Sequence, residues 1–506
     1  MKPQRFGEFT LLRRIATGGT AEIFLARRHG VDGFVRHLAI KRVLPHLADN
    51  PDFVQLILDE ARLAAHLHHA HIIEIHDVGV GLDGRAFIAM EYLPGIDLGK
   101  LVKAARTRRR RAVVILPDPA QLAAVCAVLE PLDIDVRAVS DPGDTRLASA
   151  EGPMDLLVID GSLLGPTRDP LLAGLQADHP ELLRTIFVGE TGGRGFGLYG
   201  VVEPSCDPVF IAAHARAALK LAIPPELSLQ LTRAVVDALD CAHRAHDFDG
   251  RPLEIVHRDV NPSNVLISLS GSIKLVDFGI ARATTTLREE VRGNFVGTFA
   301  YMSPEQTSGG VADGRSDLFS VGSLLHELLT GVHPFRGETE FATMRAIRDV
   351  EPPALDALNP GLPPTLVDTV AGLLSKDPEE RHPDARALLE SLEGLVRRDG
   401  IDLNPKRLAG FLKIVYGDDR ASFDVTTTGY APRPATERPR GMPPEVAEPD
   451  EVLPPPPSES PLVEFEPVVP TPAPRSNTVL YVLIALLFAT AVAGWWMYAQ
   501  LAESVG

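Results

Sequence analysis

The sequence predicts a multidomain α+β chain, and three observations carry that prediction. At 506 residues the chain exceeds the roughly 250 to 300 residues at which a single hydrophobic core stops growing. Four regions separate by composition and hydrophobic pattern. Hydrophobic residues make up 45% and charged residues 23%, enough apolar material to build cores and to exclude a chain disordered throughout. The formal charge of -17 argues against nucleic acid as a partner, because such binding neutralises phosphates with Lys and Arg. Cys126, Cys206 and Cys241 form no C-x-x-C pair, so neither a zinc site nor a disulfide framework is expected and a reducing compartment fits.

The first region, 9–107, alternates short β-branched or apolar runs with glycine turns and holds one amphipathic helix over 52–68. It predicts a small sheet with a helix. After the basic run 108–111, expected to be a solvated seam, region 112–222 alternates buried strands with helices over 112–116, 121–129, 136–139, 156–159, 171–175, 185–188, 200–202 and 211–219. That alternation predicts a doubly wound α/β unit. Helical periodicity dominates 223–416, with a cluster of short polar motifs near its start. The segment 421–476 is rich in Pro, Glu and Thr and cannot offset its ordering entropy by apolar burial, so it is a disordered, semi-extended linker.

Beyond it, 476–502 carries no charge, and 479–498 is apolar enough to cross about 30 Å of hydrocarbon as one transmembrane helix. Trp495, Trp496 and Tyr498 would sit at the far interface, with Arg433, Arg438, Arg440 and Arg475 on the near side. The positive-inside bias then leaves the bulk of the chain in the cytoplasm as a single-pass membrane protein. The N-terminal basic residues have no apolar run behind them, so no signal peptide is expected.

The strongest chemical signal is His257-Arg258-Asp259-Val260-Asn261-Pro262-Ser263-Asn264, followed by Asp277-Phe278-Gly279. Phosphoryl transfer needs a carboxylate to position an acceptor hydroxyl and metal ions to neutralise phosphate charge, so two acids and an amide must converge. The pattern resembles the catalytic and metal-binding loops of protein kinases, in particular the bacterial eukaryotic-like serine/threonine kinase family. The resemblance implies Asp259 as the catalytic carboxylate and Asn264 and Asp277 as metal ligands, with ATP and Mg2+ as cofactors and Mn2+ as an alternative ion. It also implies protein substrates.

Upstream, Leu38-Ala39-Ile40-Lys41 looks like the family's lysine strand. Glu60 lies on an apolar stripe with Phe53, Leu56, Ile57, Leu63 and Leu67, where a carboxylate needs a counter-ion. Lys41 is its expected partner, and both join the catalytic set. By resemblance the nucleotide site takes Ile15, Gly18, Ile23, Ala39, Lys41, Met90 as gatekeeper, Glu91 and Leu93 in the hinge, and Leu266. The phosphate-covering turn keeps Gly18 but has Ala16 and Ala21 at the family's other glycines, which predicts a stiffer loop because alanine disfavours positive φ.

Downstream, Gly297-Thr298-Phe299-Ala300-Tyr301-Met302-Ser303-Pro304-Glu305 resembles the end of an activation segment favouring Ser/Thr acceptors. Thr284, Thr285, Thr286 and Thr298 are available there for phosphorylation. Glu305 and Arg381 match the family's buried ion pair, and Asp317 the acid that holds the catalytic loop. Asn261 stands where the family usually has a lysine. The resemblance covers 9–107 and 224–416.

Between these lobes Met154-Asp155-Leu156-Leu157-Val158-Ile159-Asp160 looks like the third strand of a response-regulator receiver, with Asp160 at the phospho-acceptor position. The magnesium-binding acids align instead with Leu116 and Pro117, with Asp118 one place off, the hydroxyl residue with Gly189, and the lysine with Glu203. A docking or dimerising module is therefore favoured over phosphotransfer.

The predicted architecture is a bilobal protein kinase fold interrupted by a flavodoxin-like (βα)5 receiver-like domain over 112–222. The disordered linker and one C-terminal transmembrane helix follow. The function expected is a membrane-associated Ser/Thr kinase regulated by the insertion through an unnamed partner, with homodimerisation left open. The competing expectation is a weak pseudokinase scaffold, suggested by Ala16, Ala21 and Asn261.

Overall fold

The computed structural model describes residues 3–417 apart from 30–34, 82, 141–152, 165–177, 190–199, 204, 279–297, 400 and 402. Thr284, Thr285, Thr286, the linker 421–476 and the membrane helix expected over 479–498 lie outside the described residues. Among the described residues no helix is long and apolar enough to cross a membrane.

The chain opens with a six-stranded antiparallel sheet in the order β1-β2-β3-β4-β6-β5. Its strands are β1 (Gln4–Phe6), β2 (Phe9–Thr17), β3 (Ala21–His29), β4 (Val35–Val43), β5 (Ile75–Val80) and β6 (Ala86–Glu91). The sheet begins before the expected residue 9 because Phe6 packs edge-on against Phe87, ring centres 5.2 Å apart. Between β4 and β5 lie α1 (Pro45–Ala48) and α2 (Pro51–Ala64). Asn50 caps α2 by accepting Phe53 N–H at 3.1 Å. The helix stops at Ala64, short of the expected 68, where His66 and Leu67 N–H turn back to the carbonyls of Leu63 and Ala64. Leu67 stays buried beyond the helix end, so the apolar period runs on past it.

After β7 (Gly95–Asp97) and α3 (Leu98–Thr107) comes a second sheet. Its strands are β8 (Arg111–Ile115), β9 (Asp135–Val139), β10 (Leu156–Asp160), β11 (Arg184–Val188) and β12 (Gly200–Glu203). They run in the order β12-β11-β10-β8-β9, every pairing parallel. Helices α4 (Pro119–Leu129) and α5 (Pro208–Lys220) belong to this module. Alternate strand residues enter separate apolar clusters, Val114 and Val158 on one face, Val113 and Leu157 on the other. Burial on both faces accounts for the unbroken apolar runs. The order reverses between β8 and β10, so the carboxyl ends of these strands form a crevice.

The rest is mainly helical: α6 (Pro225–His243), α7 (Pro304–Thr307), α8 (Gly314–Thr330), α9 (Glu340–Asp349), α10 (Leu355–Leu358), α11 (Pro364–Leu373), α12 (Ala385–Arg398) and α13 (Pro405–Tyr416). Strands β13 (Val265–Ser268) and β14 (Ile273–Leu275) join β7 in a three-stranded sheet. One large core holds Leu239, Leu325 and Leu392 from α6, α8 and α12.

The basic run does not form the solvated seam expected of it. Asp155, 0% exposed, accepts from Arg110 Nη1 at 2.8 Å, from Arg111 N–H at 2.9 Å and from Arg108. Arg110 Nη2 also donates to Leu221 O at 2.8 Å. A carboxylate withdrawn from water needs such partners, and they tie the entry of the parallel module to its exit. On the module's far side Arg184, 0% exposed, reaches Asn359 Oδ1 and Pro360 O. Asn359 Nδ2 in turn donates to Leu329 O, at 2.7 Å, in the last turn of α8. Gly331 takes φ 73°, and a Cβ there would stand 2.1 Å from Lys220 O, so only glycine fits.

Candidate active site

The segment 257–264 leaves α6 and is fixed by one carboxylate. Asp317, fully buried in the first turn of α8, accepts from His257 N–H at 2.8 Å, Arg258 N–H at 2.7 Å and His243 Nε2 at 2.8 Å. Burial pushes the Asp317 carboxyl up, but the hydrogen bond and charge of His243, with His257 and its N–H, outweigh burial and hold it below its usual value. The anchoring lets Arg258 adopt φ 65°, a conformation that side chains other than glycine rarely take.

His257 Nδ1 accepts Asp259 N–H at 3.3 Å, so its Nε2 carries the proton and donates to Val276 O at 2.9 Å. Complete burial keeps this imidazole below its usual value and neutral, consistent with those bonds.

Asp259 is held from both sides. Asn261 Nδ2 donates to its Oδ1 at 2.9 Å and Asn264 Nδ2 to its Oδ2 at 3.0 Å. Asn264 O accepts Val276 N–H at 2.9 Å, which brings the residue before Asp277 alongside. Asp277, at φ 65°, accepts from Lys41 Nζ at 2.7 Å. Lys41, expected beside Glu60, is thus paired with Asp277. Glu60 is buried on α2. Hydrogen bonding and proximity in the folded state, which spacing on α2 does not report, decide the partner.

The residues expected around a nucleotide base do come together. Ile23, Ala39, Met90, Leu93 and Leu266 share one apolar cluster under the first sheet, and Ala39 pairs with Met90 across β4 and β6. Glu91 is braced by Lys274 at 2.9 Å, and its N–H is spent on Glu74 O at 2.8 Å. Ile15 lies on β2 outside that cluster. The turn between β2 and β3 is closed by Gly18 N–H to Ala21 O at 2.8 Å. Ala16 and Ala21 sit in the extended ladder, paired with Ile23 and Val43, and neither has positive φ. Neither alanine is therefore asked for the positive φ that it disfavours.

Behind the loop, Arg381 forks onto Glu305 at 2.8 and 2.9 Å, and Ser316 Oγ adds a bond at 2.6 Å. Burial pushes Glu305 up, but these donors overturn it and hold the carboxyl at about 2. Gln306 Nε2 donates to Arg258 O at 2.9 Å, which joins this ion pair to the segment 257–264. Thr298 opens a short turn, Thr298–Tyr301.

Residues 211–391 match the family model described as protein kinase domain. The chain contains a protein kinase domain. Among curated relatives, a chain named Tyrosine-protein kinase MasK, of Myxococcus xanthus, is 30% identical over 420 residues, covering 82% of this chain and 47% of that one. Serine/threonine-protein kinase PknL of Mycobacterium tuberculosis is 40% identical over 173 residues, covering 34% of this chain and 41% of that one. The chain thus spans less than half the length of these two relatives. A crystal structure of the Mycobacterium tuberculosis PknI kinase domain aligns with 78% of this chain and 98% of that one at 20% identity and a TM-score of 0.41.

The family match starts inside α5 and leaves both 9–107 and the five parallel strands outside it. At the carboxyl ends of its strands Asp160 Oδ1 accepts from Ser162 N–H at 2.8 Å and Ser162 Oγ at 2.6 Å. Glu203 is bonded likewise by Ser205 N–H and Oγ, at 2.9 and 2.6 Å, and those bonds hold it below its usual value. Asp118 caps α4 through Ala120 N–H at 2.8 Å. Burial, with Glu203, Asp118 and Asp160 facing it, raises the Cys206 thiol.

Sequence reading passed over Asp155, Arg184 and Asn359. A charge opening the apolar run 156–159 was a usable signal for Asp155. Nothing local marks the other two, whose partners lie about 175 residues apart.

Proposed function

We propose that this chain transfers the terminal phosphoryl group of ATP to serine or threonine hydroxyls of proteins, in a reaction that uses Mg2+ or Mn2+. The observation that carries this reading is the convergence of Asp259, Asn264 and Asp277, held by Asn261, Val276 and Lys41. Asp259, gripped at both oxygens, is oriented to accept the acceptor hydroxyl's hydrogen bond and aim its oxygen at phosphorus. Mg2+ usually takes one or two carboxylates and draws its remaining ligands from phosphates and water, so Asp277 with the Asn264 amide fits it. A bound divalent ion neutralises charge on the β- and γ-phosphates. Lys41, bonded to Asp277, would engage the same phosphates, and Glu60 on α2 is its proposed second partner. The cluster of Ile23, Ala39, Met90, Leu93 and Leu266 would take the adenine.

The parallel strand order supports reading the interrupting module as a flavodoxin-like, receiver-like domain. Leu116, Pro117, Gly189 and Glu203 at the ligand positions argue against a phosphate acceptor and favour a docking module with a regulatory role. The uncharged stretch 476–502 supports a single-pass anchor with the kinase on the cytoplasmic side. Serine and threonine are favoured as acceptors by Gly297-Thr298. The tyrosine named for the Myxococcus xanthus relative makes acceptor identity part of the test.

That test is phosphate incorporation from labelled ATP by the full-length chain beside Lys41→Ala and Asp277→Ala variants, with phosphoamino-acid analysis of the product. Phosphoserine or phosphothreonine from the unmutated chain alone supports the reading, and phosphotyrosine alone corrects the acceptor. ATP binding with no transfer to any acceptor sinks it in favour of a scaffold, with Asn261 the first suspect.

A further inference from the structure

A groove opens beside Asp259 between α3 and the C-terminal half of α8, and the exposed charges that line it are all positive. Asn261, whose amide bonds Asp259, stands at its inner end. A Cβ on Gly99 would lie 3.7 Å from Pro262 Cβ, so α3 packs directly against the catalytic loop. Lys103 and Arg106 follow on α3, three residues apart and so on one face. Arg336 lines the opposite side. All three cations are exposed.

One carboxylate, Glu327, lines the groove as well, but it is buried and already engaged. It accepts the Tyr301 hydroxyl proton and lies 3.8 Å from Arg106 Nη2, which also donates to Gly331 O at 3.0 Å. Burial and Glu327 raise the Tyr301 hydroxyl well above its usual value, so it remains a donor, and the charge of Arg336 acts on it from nearby. Glu327 is therefore not open to a basic side chain from outside, while Lys103 and Arg336 leave positive charge in excess. This stands out in a chain of formal charge -17.

We infer that this groove receives the acceptor segment of the protein substrate and selects an acidic side chain within a few residues of the acceptor hydroxyl. The inference rests on the kinase reading above and adds the substrate's chemical class. Complementary charge steers encounter and discriminates partners more than it raises affinity. The preference should therefore be moderate and should collapse as salt screens the exposed cations.

The experiment measures binding and transfer separately on the full-length chain. Fluorescein-labelled threonine peptides flanked by Asp, by Asn or by Lys are titrated by anisotropy without ATP, then used as acceptors with it. The Asp peptide should bind roughly five- to tenfold more tightly than the Asn peptide, with the Lys peptide weakest and the ranking lost at high salt. A Lys103→Glu/Arg336→Glu variant should reverse the ranking while its melting temperature and its KM for ATP stay unchanged, both side chains being exposed. Equal or tighter binding of the Lys peptide, or an unaltered ranking in the variant, overturns the inference. Transfer to all three peptides without preference sinks the groove and leaves the kinase reading intact. Preferred binding of the Asp peptide with no transfer does the converse.

Discussion

Two carboxylates in this chain are held by opposite means. Asp160, at the end of β10, is bonded by the N–H and hydroxyl of Ser162, two residues on. Such a turn satisfies itself wherever it occurs. Asp259 is gripped by two asparagine amides, on a loop whose backbone is fixed by Asp317, about sixty residues downstream. That loop is braced again by Gln306, next to the Glu305 and Arg381 pair. A local bond ends a strand. An orientation fixed from several distant elements, with φ 65° at Arg258 and Asp277, stores strain that the whole lobe must support, and preorganisation for chemistry needs such support.

The sharpest way to break this contrast is to neutralise each acid in turn. Asp259→Asn should lower transfer by about 10²- to 10⁴-fold, and Asp160→Asn should leave it within about twofold, since a locally satisfied turn has no reach to the loop. Initial rates with labelled ATP decide it, and equal losses would dissolve the comparison.

Asp317→Ala comes next. It strips two buried N–H groups of their acceptor and should cost about 3 kcal/mol of stability, read from the urea midpoint. A shift no larger than that of a surface variant would mean the loop is not held from α8.

Acid tests the outer brace. The Glu305 carboxyl, ordinarily 4.5, is held at about 2 in the folded chain. A depressed folded value contributes stability that is full above pH 4.5 and is lost as pH falls from there through about 2. The stability gap between the unmutated chain and Glu305→Gln should therefore shrink across that window, and a constant gap would assign the effect elsewhere.

The smallest effect sharpens the comparison from within the site. Asn261→Lys supplies a cation near the transferring phosphoryl but removes the amide from Asp259, so kcat should rise by no more than about tenfold. A fall would show that the clamp on Asp259 outweighs the added charge.

Much of this was legible before folding. The strands expected at 112–116, 156–159 and 185–188 appear within one residue as β8, β10 and β11, because strands buried on both faces leave unbroken apolar runs. Of the residues expected at the nucleotide, Ile23, Ala39, Met90, Leu93 and Leu266 share one apolar cluster, as strand alternation assigns the faces of those on β3, β4 and β6. The expected pair of Glu305 and Arg381 did form, but legibility failed at other charges. Lys41 met Asp277, a partner that spacing on α2 does not name, and Arg108 and Arg110 turned inward to Asp155 where a solvated seam was expected. At the alanines that replace glycines the backbone is extended and asks for no positive φ.

By itself the sequence determined which chemistry is possible, since the acids and amides of 257–264 and 277 carry it in their identity and spacing. It also determined where sheet gives way to helix, since local periodicity reports local burial. Only the tertiary structure decided that Arg184 locks onto Asn359 and Pro360, that Glu327 is engaged by Tyr301, and that Lys103 and Arg336 face one groove. Ion pairs and hydrogen bonds act over a few ångströms in space, and separation along the chain has no bearing on that distance.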